Sequence, residues 1–170
     1  MKKIAAFLLL LLNLVSEKAK GDHFPVSIED FETLEIRVHG SVDWTSSPAT
    51  ASVDCSSALF SELEFEQNGK ILTINWKNSG RPDWKSGNNK LDIHLSSEML
   101  RKVIISGSAD FTIKSSNKTP EFTLNISGSG DFTGNLDCSG PAAFLISGSG
   151  DIRSSGTATD LNVKISSCLD

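Results

Sequence analysis

Val103-Ile104-Ile105-Ser106-Gly107-Ser108-Ala109-Asp110-Phe111 recurs as Leu124-Asn125-Ile126-Ser127-Gly128-Ser129-Gly130-Asp131-Phe132, and again as Phe144-Leu145-Ile146-Ser147-Gly148-Ser149-Gly150-Asp151-Ile152. A worn copy, Val163-Lys164-Ile165-Ser166-Ser167-Cys168-Leu169-Asp170, stands at the end of the sequence. Another, Val38-His39-Gly40-Ser41-Val42-Asp43-Trp44, lies near its start. Gly107 to Gly128 is 21 residues and Gly128 to Gly148 is 20; the final copy follows after 19, with Ser167 at the glycine position. Repetition at a fixed period denotes stacked supersecondary units, none able to bury its apolar face alone.

Alignment of the copies produces columns. Val103, Leu124, Phe144 and Val163 share one, and Ile105, Ile126, Ile146 and Ile165 share the next. Phe111, Phe132 and Ile152 form a third beyond the turn. Apolar residues two apart lie on one face of a strand, so stacked units put like on like in a continuous core. A period near twenty predicts an all-β parallel β-helix, a solenoid with coils of about twenty residues. In the Ser-Gly-Ser-Gly-Asp segments, glycine is expected to supply positive φ at a corner. The aspartate is expected to cap backbone N–H groups there. The structural-turn set is thus Gly40, Asp43, Gly107, Asp110, Gly128, Asp131, Gly148 and Asp151.

Ahead of the repeats, Leu34, Ile36 and Val38 alternate as a strand does. Leu63 to Glu66 and Ile71 to Trp76 flank Asn68-Gly69, a hairpin signal because both residues tolerate positive φ. An N-terminal β-hairpin region is expected there. Residues 78–89 are rich in Gly, Pro, Asn and Ser and read as a loop, and Leu91 to Leu95 alternate again. Helical periodicity is absent past the N-terminus, apart from one short turn allowed over Ser97 to Lys102.

Lys2 and Lys3 followed by the apolar run Ile4 to Val15 read as a signal peptide over residues 1–21. The run is too short for a membrane span of roughly 20 residues. Residues 22–170 are then a single domain, with 12 basic against 20 acidic residues and a net charge of −8. That balance disfavours nucleic acid and anionic membrane as partners. No second apolar run offers a transmembrane anchor. Export to the periplasm, cell surface or medium permits disulfides, but Cys55, Cys138 and Cys168 cannot all pair within one chain. One intrachain bridge and small buried core residues are both open readings.

The exported N-terminus, the early Gly-Ser-x-Asp turn and the Asn68-Gly69-Lys70-Ile71-Leu72-Thr73-Ile74 hairpin precede the reiterated Ile-Ser-Gly-Ser-Gly-Asp. Together they resemble the putative auto-transporter adhesin, head GIN domain family of bacterial exported proteins. The resemblance covers about Val26 to Asp170. It implies a β-helical envelope module with an adhesin-like role and brings no catalytic residues or cofactor.

Trp76 and Trp84 bracket the polar segment carrying Arg81 and Asp83, the residue types that stack on and hydrogen-bond sugars. The competing reading is structural, with Trp76 ending a core strand and Trp84 pinning the segment down; the partners expected are a surface glycan or an envelope protein. A second copy of the chain is a further candidate, docking through an open C-terminal coil. Two alternatives compete. A carbohydrate-active β-helix enzyme would use Asp131 and Asp151. A calcium-dependent module would load the corner aspartates, but calcium takes roughly six or more oxygens and one corner supplies fewer. No P-loop, Gly-x-Ser-x-Gly elbow or His-Glu-x-x-His occurs. His23, His39 and His94 are scattered in sequence and read as surface residues. Asn117-Lys118-Thr119 and Asn125-Ile126-Ser127 match the glycosylation acceptor pattern.

Overall fold

The computed structural model describes residues 22–77 and 90–166. Its elements in chain order are β1 (Asp22–Val26), β2 (Thr33–Ile36), β3 (Gly40–Ser46), β4 (Thr50–Cys55), helix α1 (Ser57–Glu62), β5 (Leu63–Asn68), β6 (Ile71–Trp76) and β7 (Asp92–Ser97). The repeats then supply β8 (Lys102–Ile105), β9 (Ala109–Ile113), β10 (Asn117–Thr119), β11 (Phe122–Ile126), β12 (Phe132–Cys138), β13 (Pro141–Ile146), β14 (Ile152–Thr157) and β15 (Asp160–Ile165).

The all-β class holds, but the architecture is two mixed sheets and not a parallel β-helix. One sheet runs β1-β4-β7-β3-β9-β12, with β10 and β14 also pairing β12; the other runs β15-β13-β11-β8-β2-β6-β5. Pairs β1–β4, β4–β7 and β5–β6 are antiparallel, and the remaining pairs are parallel. Each sheet is open, and the three antiparallel pairs stand where a parallel solenoid would keep every neighbour parallel. From β8 onward the chain passes back and forth between the sheets, with β9 and β10 both in the first, so each repeat supplies strands to both.

In-register pairing turns the repeated isoleucines into one row. Ile74, Ile36, Ile105, Ile126, Ile146 and Ile165 are successive partners across the second sheet. Val53, Ile93, Val42, Phe111, Phe132 and Ile152 form the matching row of the first sheet. These rows face each other and merge into one hydrophobic core. Polar groups drawn into it are satisfied, as buried groups must be. The Trp44 indole donates to Ser97 Oγ at 2.8 Å, and the fully buried Asn117 side chain bonds both the N–H and the C=O of Leu100. That burial removes Asn117 as a glycosylation acceptor.

One end of the core is closed. Ser56 caps α1 by accepting the Leu59 N–H, Leu59 is buried, and Phe60 stacks on Phe24 with ring centroids 4.2 Å apart. The helix has no apolar period because it makes little more than one turn. The Asn68-Gly69 hairpin forms as expected, but only Gly69 adopts positive φ (57°), with Lys70 completing the two-residue loop. No helical turn occupies 97–102, where β7 passes to β8.

The corner glycines act differently from the sequence expectation. Gly107, Gly128, Gly130, Gly148 and Gly150 do not have positive φ; among the described residues only Gly40, Gly69 and Gly156 do. The corners instead stack backbone on backbone. The Ser129 N–H donates to Gly107 O, and the Ser149 N–H donates to Gly128 O at 3.1 Å. A Cβ on Gly128 would fall inside the van der Waals envelope of the Gly107 carbonyl oxygen.

Candidate functional site

The core is not closed at its other end. Burial along the isoleucine row holds at 6% exposure or less through Ile146 and then jumps to 64% at Ile165. Leu161 (57%) and Val163 (49%) are bared on the same face of β15. Opposite them, the inward positions of β14 are Ile152, Ser154 and Gly156, partners of Phe132, Gly134 and Leu136. Ser154 and Gly156 are too small to fill the last layer. The result is a cleft of about 760 Å³ lined by Leu136, Phe144, Ile146, Ile152, Leu161 and Val163 among others. Neither β14 nor β15 has a strand on its outer side among the described residues.

Asp110, Asp131 and Asp151 stand in one row at the corners, because Phe111, Phe132 and Ile152, the residues after them, are register partners. Asp131 Oδ1 accepts the Asp151 N–H at 2.8 Å, and Asp151 Oδ2 accepts from Arg153 at 3.2 Å. Neighbouring carboxylates about 4.8 Å apart repel by only about 1 kcal/mol in water. Asp43 is not in this row. Gly40 pairs with Ala109 and Asp43 with Thr112, so the early copy is displaced by two residues from its alignment on Gly107 and Asp110.

Asp43 belongs instead to a chain of histidine and aspartate side chains that sequence separation conceals. His23 Nδ1 meets Asp54 Oδ1 at 2.6 Å, His94 Nε2 meets Asp54 Oδ2 at 3.2 Å, and His94 Nδ1 meets Asp43 Oδ2 at 2.8 Å. The order β1-β4-β7-β3 brings these four together across the first sheet. The hydrogen bond from His23, aided by that from His94, holds the Asp54 carboxyl below its ordinary value of 3.8 despite partial burial. Asp30 is likewise lowered, by Lys70 and the Glu98 N–H.

A depressed carboxyl stabilises the fold above the ordinary aspartate value, and that contribution is lost as pH falls through the folded-state value. Melting temperature is therefore expected to fall below about pH 3.8. Asp54→Asn should flatten that acid limb while lowering stability at neutral pH. An acid limb of unchanged slope in Asp54→Asn would refute the assignment.

Trp76 ends β6, half-buried, with its ring 5.1 Å from that of His39 at 24°. Arg81, Asp83 and Trp84 lie outside the described residues, as do residues 1–21, read above as a signal peptide, Cys168 and Asp170. Cys55 and Cys138 are both buried and unbridged, and burial pushes the Cys55 thiol up to about 11. Among the described residues no cluster of three or more His, Cys, Asp or Glu could hold a metal ion, and no helix is long and apolar enough to cross a membrane.

A two-sheet scaffold with one closed end and one bared apolar end is the frame for comparison with known proteins. The chain belongs to the family described as putative auto-transporter adhesin, head GIN domain, whose model matches residues 30–168. Among solved structures it is similar to a putative lipid binding protein from Parabacteroides distasonis, with a TM-score of 0.74 and 20% identity over 85% of this chain. The chain spans 62% of that protein's length. A putative adhesin from the same organism gives a TM-score of 0.64 at 20% identity, covering 85% of this chain and 69% of that one. A putative adhesin from Bacteroides fragilis gives 0.58 at 13% identity, with 89% and 95% covered. At such identities the likeness is one of fold alone. No curated protein matches.

Proposed function

We propose that the chain is an exported, adhesin-like binding module of the bacterial cell envelope that contacts a surface glycan or an envelope protein and performs no catalysis. The observation that carries this reading is family membership across residues 30–168, nearly all of the domain. The Trp76 face supports the choice of ligand. Its indole is partly exposed beside His39, and the adjoining segment carries Arg81, Asp83 and Trp84. Aromatic stacking flanked by forked polar side chains suits a sugar ring. The corner glycines and aspartates have an architectural role in this reading. Asp131 spends an oxygen on the Asp151 backbone, a capping contact and not that of a free catalytic acid.

Binding of the purified chain to a glycan array tests the proposal, with Trp84→Ala as the internal control. Retained folding with roughly tenfold weaker binding is expected, the value of about 1.4 kcal/mol of lost stacking. Failure to bind any glycan or envelope protein would overturn it. So would polysaccharide turnover that Asp131→Asn abolishes without unfolding the chain.

A further inference from the structure

We propose that the bared end is an interface with a second copy of this chain, in which the two β15 strands pair antiparallel about a two-fold axis at Asn162. An unpaired edge strand beside an exposed apolar row is a template for another strand. Leu161, Val163 and Ile165 form such a row, and among the described residues β15 pairs with β13 alone. The closed end offers no matching surface, since Leu59 and Leu63 are buried and Phe24 is stacked on Phe60. Head-to-tail addition is therefore disfavoured, and the bared end is left to meet its own kind.

The strand sequence specifies the pairing. In Asp160-Leu161-Asn162-Val163-Lys164, a two-fold at Asn162 sets Asp160 opposite Lys164 of the second copy, and Lys164 opposite its Asp160. Leu161 faces Val163 twice on the inner side, and Asn162 faces Asn162 on the outer. Opposite charges directly across an antiparallel pair attract, and like charges there repel. A slip of one residue would turn the apolar row outward. A slip of two keeps the faces but breaks both charge pairs, setting Asp160 opposite Asn162 or Ser166. Only the Asn162-centred register satisfies both faces of the strand. The association is isologous, so it closes at two copies and does not run on into a filament. It also joins the two clefts mouth to mouth, so that each apolar row covers the other. This inference is independent of what the Trp76 face binds.

Sedimentation of the full chain over about 1–100 µM should show a monomer–dimer equilibrium. Asp160→Lys alone and Lys164→Asp alone each set like charges opposite one another twice, and each should weaken association at least about tenfold. The double reversal Asp160→Lys with Lys164→Asp should restore it. Both side chains are exposed, so folding is preserved in all three variants. Asn162→Cys in a Cys168→Ser background should give a disulfide-linked dimer on mild oxidation. A monomer throughout that range would overturn the proposal, whether the cleft proves to hold a co-purifying lipid or residues 167–170. A dimer indifferent to the single reversals, or not rescued by the double one, would overturn it equally.

Discussion

Phe132→Ala is expected to destabilise the protein by about 3–5 kcal/mol, the range for truncating a buried aromatic ring. Phe132 is 0% exposed, and its ring centroid lies 6.0 Å from those of Phe111 and Phe122 and 6.3 Å from that of Phe144. It meets Phe111 of its own sheet and Phe122 and Phe144 of the other, so its removal opens a void that neither sheet can close alone. Phe111 and Ile152 are held in place by ladder hydrogen bonds on either side of it. The layers therefore cannot collapse inward. Urea denaturation checks the value through the midpoint, with the slope m unchanged if the transition stays two-state. Phe132→Leu should cost markedly less because it leaves a smaller cavity. A loss below about 1 kcal/mol for the alanine variant would mean that the aromatic cluster is not the centre of the core.

The second large effect comes from one methyl group. Gly128→Ala would drive a Cβ into the Gly107 carbonyl oxygen, a backbone atom fixed by the Ser129 hydrogen bond. The next corner rests on Gly128 in the same way, since Ser149 donates to Gly128 O. A shift to relieve the clash must therefore displace three layers. We expect a loss of about 3 kcal/mol, the upper end for overpacking. That corresponds to a fall of roughly 6–12 °C in melting temperature for a domain of this size. Gly69→Ala is the informative contrast. Its φ of 57° is unfavourable for alanine, but nothing lies within 4 Å of the added carbon. It should cost only about 1–2 kcal/mol, a conformational penalty without a clash. Ser129→Ala, on an exposed side chain of the same corner, should change stability by no more than about 0.5 kcal/mol. If the two glycine variants proved equal, close stacking at Gly128 would not be its role.

These two residues also separate what is legible in the sequence from what is not. The columns of Ile105, Ile126, Ile146 and Ile165 and of Phe111, Phe132 and Ile152 are read directly from the repeats, because parallel in-register pairing needs no more than a constant period. The overall architecture is not so read. The antiparallel strands β1, β4 and β7 carry no turn signal linking β4 to β7, and their pairing depends on distant residues such as Val53 and Ile93. Repeats that look uniform thus sit beside strands of opposite direction, and the outcome is two mixed sheets. The misplacement of Gly40 has a different cause. Ile36, not Val38, is the partner of Ile105, and a two-residue slip leaves every side chain on its proper face. Alternation is blind to it.

The site divides in the same way. The repeats give the column that runs through Ile146 to Ile165, but not the exposure of its last member. The size of the cleft depends on the smallness of Ser154 and Gly156, which becomes meaningful only when they are matched to Gly134 and Leu136. The His23–Asp54–His94–Asp43 chain is invisible in one dimension, because its contacts span 31, 40 and 51 residues. Helix α1 is hidden by its brevity. Its only sequence sign is Ser56, whose hydroxyl accepts the Leu59 N–H.

The corner stack has a consequence for how such a molecule changes size. Gly107, Gly128 and Gly148 lie carbonyl under alpha carbon, and the isoleucines beside them are interchangeable from one layer to the next. Duplicating a segment such as residues 127–146 would lengthen the body by one strand spacing, about 4.8 Å, and leave both extremities chemically as they were. Growth by tandem gene duplication would then proceed in whole steps, with relatives of this fold differing in reach while keeping the same terminal surfaces.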